Sequence, residues 1–325
     1  MKASLERTLV VRNIASSRAD KVQSNVIDRL QENLPDSSIH EFWTPSANRN
    51  ITTDAIAEEI QPGDNIIVAA GDGTSNAVVN AYIQADVEGA KIGFLPYGNF
   101  NDMAATFTDA KTRLNPALML ADSTRQVEVN PLEVFVNGEH VRYAMLYATL
   151  GWTAMAASLF DRPEARQGLQ DGKANLAASL LDIAKMYFKT RKASSLPPFQ
   201  RQGDPHTHNS TTDVLAVNGP IMAKIIRTQE PFYAGKEFLS QDLDVSGFLR
   251  NANFLGRSGI NFALGTHFKL PGTTVTSDRV VFDGASLPMQ LDGEFLQLDG
   301  VDRLAISKDQ SDLARTITVL KTSKD

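Results

Sequence analysis

Between Asn65 and Ile83 the chain passes from a short apolar run, Asn65-Ile66-Ile67-Val68-Ala69-Ala70, through Gly71-Asp72-Gly73-Thr74-Ser75 into apolar residues at helical spacing. The β-branched run reads as a strand of a parallel sheet, and the turn that follows leads directly into a helix with Thr74 or Ser75 available as its N-cap. Such a turn makes an anion site. Glycine lets the backbone come close to a phosphate, and the first-turn N–H groups and helix dipole face it. Asp72 is unusual there, because a carboxylate repels phosphate unless a cation intervenes or it serves as a base toward an acceptor hydroxyl. Asp-Gly also builds ordinary turns, so this loop alone leaves both a plain turn and a nucleotide site open.

A second loop of the same kind decides between them. Lys91-Ile92-Gly93-Phe94-Leu95 is another candidate strand, running through Pro96-Tyr97-Gly98-Asn99-Phe100-Asn101-Asp102 into the helical stretch from Met103. Two strand–loop–helix units in tandem put both Asp-bearing loops at the carboxyl edge of one sheet, where open α/β folds bind ligands. Leu9-Val10-Val11 and Ile39-His40-Glu41-Phe42-Trp43 supply two earlier strands, and helices are expected over 19–33, 54–59 and 75–85. This alternation predicts a parallel sheet with right-handed crossovers. After Ser123 the texture changes to alternating strands, with Asn137-Gly138 as a hairpin turn. Far along the chain, Gln290-Leu291-Asp292-Gly293-Glu294 lies between two strand-like runs, and as bare sequence it reads as one more hairpin turn. The organisation expected is an α/β domain over 1–125, completed by 308–325, and a mostly antiparallel β-sandwich domain over 126–307 with a helical insertion near 175–192.

Taken in order, A-G-D-G-T-S-N-A-V-V-N, F-L-P-Y-G-N-F-N-D-M-A and Q-L-D-G-E resemble the diacylglycerol kinase catalytic-domain family, which includes soluble bacterial lipid kinases and is related to sphingosine and ceramide kinases. Its members carry GGDGTxxEVxN, PxGTxNDxA and a late LDGE. Three motifs in the right order are far more specific than any one of them. The resemblance implies a Rossmann-like parallel sheet of the NAD kinase/diacylglycerol kinase type and an ATP- and magnesium-dependent lipid kinase, with ATP in the cleft between domains. It implies that Asn13, Thr44, Gly71, Asp72, Gly73, Thr74, Ser75 and Asn99 bind the nucleotide, and that Asp72 and Asp102 hold Mg2+, directly or through water. Glu294 matches the residue proposed as proton acceptor toward the lipid hydroxyl, with Asp292 supporting it. A homodimer is the family expectation, and the lipid would enter beside the helical stretch near 175–190.

The chain departs from the family pattern at several places. Ala70 and Ala77 replace a Gly and a Glu, Asn99 and Phe100 replace a Thr and a small residue, and Asn130 stands about where an Asp is usual. Ser246 replaces an Asp associated with a structural magnesium in bacterial members and cannot supply its carboxylate. Two other functions therefore stay in view: an NAD kinase-like enzyme, which shares the GGDGT loop, and a non-catalytic nucleotide or lipid sensor.

Composition narrows the class further. The 325 residues are 42% hydrophobic, enough for two cores, and contain no cysteine, which excludes disulfides, thiolate catalysis and zinc–thiolate sites. The net charge of −6 argues against a nucleic-acid partner and against strong attachment to anionic lipid, so membrane-surface contact is expected to be local and transient. No apolar signal region or membrane-length run is evident, which points to a cytoplasmic protein, peripheral at the inner membrane surface. The basic cluster Lys185, Lys189, Arg191 and Lys192 ends an apolar helical stretch. It reads as a core-packed helix with a favourable C-terminal charge or, alternatively, as a membrane-facing surface. His206 and His208 share a loop without a third ligand and read as solvated rather than as a metal pair.

Overall fold

The computed structural model describes residues 7–14, 16, 18–35, 38–45, 49–98, 101–121, 124–160, 196–222, 226–227, 235–244, 268–269, 273–308 and 316–323. The chain divides into two compact units, Met1–Val129 with Arg315–Asp325, and Asn130–Ala314.

In the first unit, β1 (Thr8–Arg12), β2 (Ile39–Trp43), β3 (Asn65–Ala70) and β4 (Lys91–Pro96) run parallel in the order β2-β1-β3-β4. The C-terminal strand Ile317–Lys321 lies parallel to β4, and β5 (Arg125–Val129) closes the sheet antiparallel to it. Every residue of β1 and β3 is buried, as continuous β-branched runs require when both faces of a parallel sheet are covered. On one face, Val22, Val26, Ile27 and Leu30 pack against Val10, Ile67, Ala69 and Leu95. These four come from a helical run that opens with a 3-10 turn (Ala19–Lys21), continues as a π-helical segment (Gln23–Ile27) and ends as α1 (Asp28–Gln31). Between β3 and β4 runs α3 (Asp72–Ala85), against which α2 (Arg49–Glu59) packs. The chain leaves β1 for β2 on one side and returns to β3 on the other. The order therefore reverses between β1 and β3, and open α/β sheets bind their ligands at such a switch point.

The described strands of the second unit form one curled antiparallel sheet of ten strands, with a separate three-stranded sheet built from Ile221–Met222, Ile226–Arg227 and Phe268–Lys269. The expected Asn137-Gly138 hairpin joins β6 (Leu132–Val136) to β7 (Glu139–Ala144), both turn residues having positive φ. A two-residue corner, Met145-Leu146, leads into β8 (Tyr147–Gly151). The longest hairpin pairs Ser277–Leu291 with Glu294–Ser307 around Asp292 (φ 48°) and Gly293 (φ 88°), both in the left-handed region that suits a tight turn between twisted strands. Its first strand pairs with β8 and its second with β6. Leu132, Val134, Leu150, Leu287, Met289 and Leu304 meet in the core beneath. Gly151 turns the chain from β8 into α6 (Trp152–Phe160) at φ 91°, where a Cβ would overlap the Thr212 carbonyl. Asp213 accepts the Thr153 N–H at 2.5 Å and so caps α6, and burial pushes its carboxyl above the ordinary carboxylate range.

One polar network crosses this core. Buried Asn218 donates to the carbonyls of Asn130 (2.9 Å) and Met145 (2.8 Å), and its side-chain oxygen accepts from Lys308 Nζ at 2.9 Å. Desolvation lowers the pKa of the Lys308 ammonium from 10.5 to about 8. Between these two values the unfolded chain holds a proton that the folded chain has released, so wild-type stability rises with pH through this window. Lys308→Met removes that dependence. The thermal midpoint of the variant minus that of the wild type is expected to fall as pH rises from about 7 to about 10, and a pH-independent difference would refute the assignment.

Candidate active site

At the carboxyl edge of the first sheet, β3 passes through Gly71 into α3, whose first residue is Asp72. The helix starts earlier than the sequence suggested. Its N-cap is Gly71, without a side-chain cap, and neither Thr74 nor Ser75 serves. The physical reason lies in their bonds. Ser75 Oγ donates to the Gly71 carbonyl at 3.1 Å, and Thr74 Oγ1 accepts from Asn13 Nδ2 at 2.8 Å. By helix geometry, the first-turn N–H groups at Asp72, Gly73 and Thr74 have no intrahelical acceptor, as a phosphate cradle requires. Asn13 follows β1, so its bond to Thr74 spans the switch point. Thr44 lies next to it, donating its N–H to the Arg12 carbonyl at 2.9 Å.

The second loop presses onto the first. A Cβ on Gly71 would lie 3.1 Å from the Gly98 Cα, and one on Gly98 would come closer still to the Gly71 Cα. A Cβ on Gly98 would force the backbones apart, and one on Gly71 would crowd them. Tyr97 donates its N–H to the Ala70 carbonyl at 3.2 Å, tying the loops at their base. Asn101, in the left-handed region at φ 58°, braces the turn in both directions. Its Oδ1 accepts the Gly98 N–H and its Nδ2 donates to the Gly98 carbonyl, each at 2.6 Å. From this brace starts α4 (Asp102–Phe107). Asp72 Oδ1 accepts the Met103 N–H at 3.2 Å, so its carboxylate lies at the first turn of α4, beside Asp102 in the chain. Both aspartates are buried, at 8% and 1% exposure, which an ionised pair tolerates only with donors or a cation close by. Hard carboxylate oxygens at the first turns of two helices suit Mg2+ held partly through water. Asn99 and Phe100 lie outside the described residues, as do Ser246, the stretch near 175–192 and the basic cluster at Lys185 to Lys192.

In the second unit the Asp-Gly-Glu hairpin assigns its two carboxylates different partners. Asp292 is almost fully buried. Its Oδ2 accepts the Met145 N–H at 2.5 Å, and its Oδ1 accepts those of Leu146 and Tyr147 at 2.8 and 2.9 Å. These bonds hold the β7–β8 corner. Glu294 is 2% exposed, and its Oε2 accepts from Arg142 Nη1 on β7 at 2.8 Å. Sequence reasoning missed Arg142, since it lies on an alternating strand far from any motif. It also missed Arg12, buried at the end of β1 with its guanidinium 4.0 Å above the Trp43 ring and bonded to Gln23 and Glu41. His208 pairs with Asp204 (3.3 Å) and stacks on Phe199, while Arg201 joins Asp242 to Asp278. Among the described residues no group of three or more metal-ligating side chains gathers. Among them, too, no helix is long and apolar enough to cross a membrane.

Residues 7–133 match the family model described as diacylglycerol kinase catalytic domain. No match to a curated protein was found. Among solved structures, one described as "a putative diacylglycerol kinase from Bacillus anthracis str. Sterne" aligns over 98% of this chain and 98% of its own at TM-score 0.65 and 15% identity. Another, described as one of the diacylglycerol kinases of the same strain, aligns over 98% and 97% at TM-score 0.60 and 13% identity. At such identity the likeness is one of fold, and it extends through both units. Over residues 7–133 the chain is therefore similar to the diacylglycerol kinase catalytic domain.

Proposed function

We propose that this protein transfers the γ-phosphoryl group of ATP to the hydroxyl of a lipid, diacylglycerol-like or sphingoid, with Mg2+. The observation that carries this function is the junction of the two loops. Gly71 meets Gly98 backbone to backbone, and Asp72 reaches the first turn of α4. That junction offers two helix N-termini for phosphates and two carboxylates for a cation, which is what phosphoryl transfer asks of a protein. The family match favours a lipid acceptor over NAD.

In this scheme the first turn of α3 binds the phosphates, with Asn13, Thr74, Ser75 and Asn99 as hydrogen-bonding partners and Thr44 near the nucleotide. Asp72 and Asp102 would hold the Mg2+, which neutralises charge on the phosphate oxygens. Glu294 takes the proton of the acceptor hydroxyl while the hydroxyl oxygen bonds to the γ-phosphorus. The bond from that phosphorus to the β–γ bridging oxygen breaks, and ADP leaves. Asp292 contributes by holding the turn that carries Glu294. Contact with the membrane surface is transient, and the protein works as a homodimer.

The test is ATP consumption by purified protein with Mg2+ and mixed micelles of diacylglycerol, ceramide or sphingosine, with NAD as a separate acceptor. Lipid-dependent turnover is expected, and phosphorylation of NAD alone would overturn the assignment. Glu294→Gln is expected to lower turnover by about 10²-fold or more while leaving ATP binding intact, the range of a lost general base. Asp72→Asn keeps an oxygen for the Met103 N–H but removes the charge. It is expected to fold normally and lose Mg2+-dependent turnover, and unchanged activity would make Asp72 purely structural.

Asp292→Asn separates the two hairpin carboxylates. An amide nitrogen in place of either oxygen would face a main-chain N–H, at a cost of about 1–3 kcal/mol. The expected readout is a lower thermal midpoint; Glu294→Gln lowers it too, by leaving the buried Arg142 guanidinium without its counter-charge, but it alone removes the proposed proton acceptor.

A further inference from the structure

We infer that Arg142 is the positioning residue for Glu294, and that the β7–β8 corner is the template that sets where the proton acceptor stands. This inference rests on the role proposed above for Glu294. Its own support is geometric.

A general base must sit within hydrogen-bond reach of the proton it takes. Glutamate has three rotatable side-chain bonds, so a short turn by itself does not fix its carboxylate. Here the Asp292-Gly293-Glu294 segment is tied to one structural element at two points. Asp292 accepts the N–H groups of Met145, Leu146 and Tyr147, which fixes the backbone of the turn. Glu294 accepts from Arg142 Nη1 at 2.8 Å, which fixes the carboxylate itself. Arg142 lies on β7 just ahead of that corner, so both restraints come from the same stretch of chain.

Both partners are buried, Arg142 at 8% and Glu294 at 3% side-chain exposure. Removing two ions of this size from water is expensive, and a well-packed apolar pair would often serve stability as well or better. The arrangement gains direction instead. A guanidinium is a rigid planar donor, and a buried one cannot swing away as a surface lysine can. A carboxylate held in this way keeps its lone pairs pointing in a fixed direction before any substrate arrives.

The experiment is a double-mutant cycle on purified full-length protein, with Arg142→Met, Glu294→Gln and the combination. Turnover is measured on diacylglycerol in mixed micelles, with ATP binding and thermal midpoint recorded alongside. Arg142→Met is expected to lower kcat by about a hundredfold, the cost of misplacing a reacting group, with the KM for ATP unchanged. Added to Glu294→Gln, it should cost no further activity if Arg142 serves turnover through that carboxylate. A residue with a merely structural role would instead multiply its loss onto that of Glu294→Gln, and that result overturns the inference. Wild-type kcat in Arg142→Met overturns it as well. Should Arg142→Met not fold, Arg142→Gln keeps a neutral N–H for Glu294. It is expected to lower kcat with the same non-additivity, and unchanged kcat or multiplied losses would overturn the inference. Full activity in Glu294→Gln removes the base itself, and the inference with it. Loss in Glu294→Gln with none in Arg142→Met removes only the inference.

Discussion

The approach of Gly71 to Gly98 is the constraint on which the rest of the first unit's site depends. Two backbones meet where any side chain would hold them apart, so β3 and β4 deliver their helices to one place. From this follow the Tyr97 bond to the Ala70 carbonyl, the Asn101 brace and the reach of Asp72 to the start of α4. Each of these alone is an ordinary turn contact. Together they put the positive ends of two helices side by side, and with them two buried aspartates. The macrodipole of each helix favours a negative group at its N-terminus, which offsets part of the cost of burying those carboxylates. Hard carboxylate oxygens beside a phosphate cradle suit a divalent cation, as proposed above.

The second unit solves a different problem by similar means. A tight hairpin turn needs a residue that tolerates the left-handed region, and aspartate does so at modest cost. Asp292 uses that position to aim its carboxylate inward at three N–H groups, which turns a local bend into a long-range staple. Glu294, two residues on, gains a fixed place because its neighbour is already fixed. Asn218 acts on the same corner from the neighbouring strand, donating from its side chain to the Met145 carbonyl and from its main chain to the Leu146 carbonyl. The corner is thus held from two directions, by an acceptor and by a donor.

Much of this was legible in the sequence. The strands β1, β3 and β4 announced themselves as short apolar runs, because residues buried on both faces leave no polar alternation. The resemblance assigns Asn13 and Thr74 to one nucleotide site, and in the structure a hydrogen bond joins their side chains. The start of α3 was not legible. Thr74 and Ser75 look like N-caps by composition, yet a glycine that already reaches the Gly98 backbone takes the position. Arg142 was illegible for a different reason. A single basic residue in an alternating strand is usually a solvated one, and its partner stands 152 residues away in sequence. Lys308 and Asn218 share that difficulty, since pairing across a β-sheet leaves no local pattern.

Three of the departures from the family pattern, Ala70, Ala77 and Asn130, lie among the described residues. Ala70 is 2% exposed in a strand paired with Pro96, and Ala77 is fully buried on α3. Both fill space as apolar residues, although at Ala77 the pattern's carboxylate is lost. Asn130 is engaged through its carbonyl by Asn218, a main-chain role that an aspartate would fill equally. Against these stand Asp72, Asp102 and Glu294, all nine-tenths or more buried and each costly to keep as a charge. A chain that had kept only the fold would gain stability by replacing such groups with apolar ones, since buried ions seldom contribute net stability. Three such groups kept at a cost in stability fit the phosphoryl transfer proposed above better than a passive sensor.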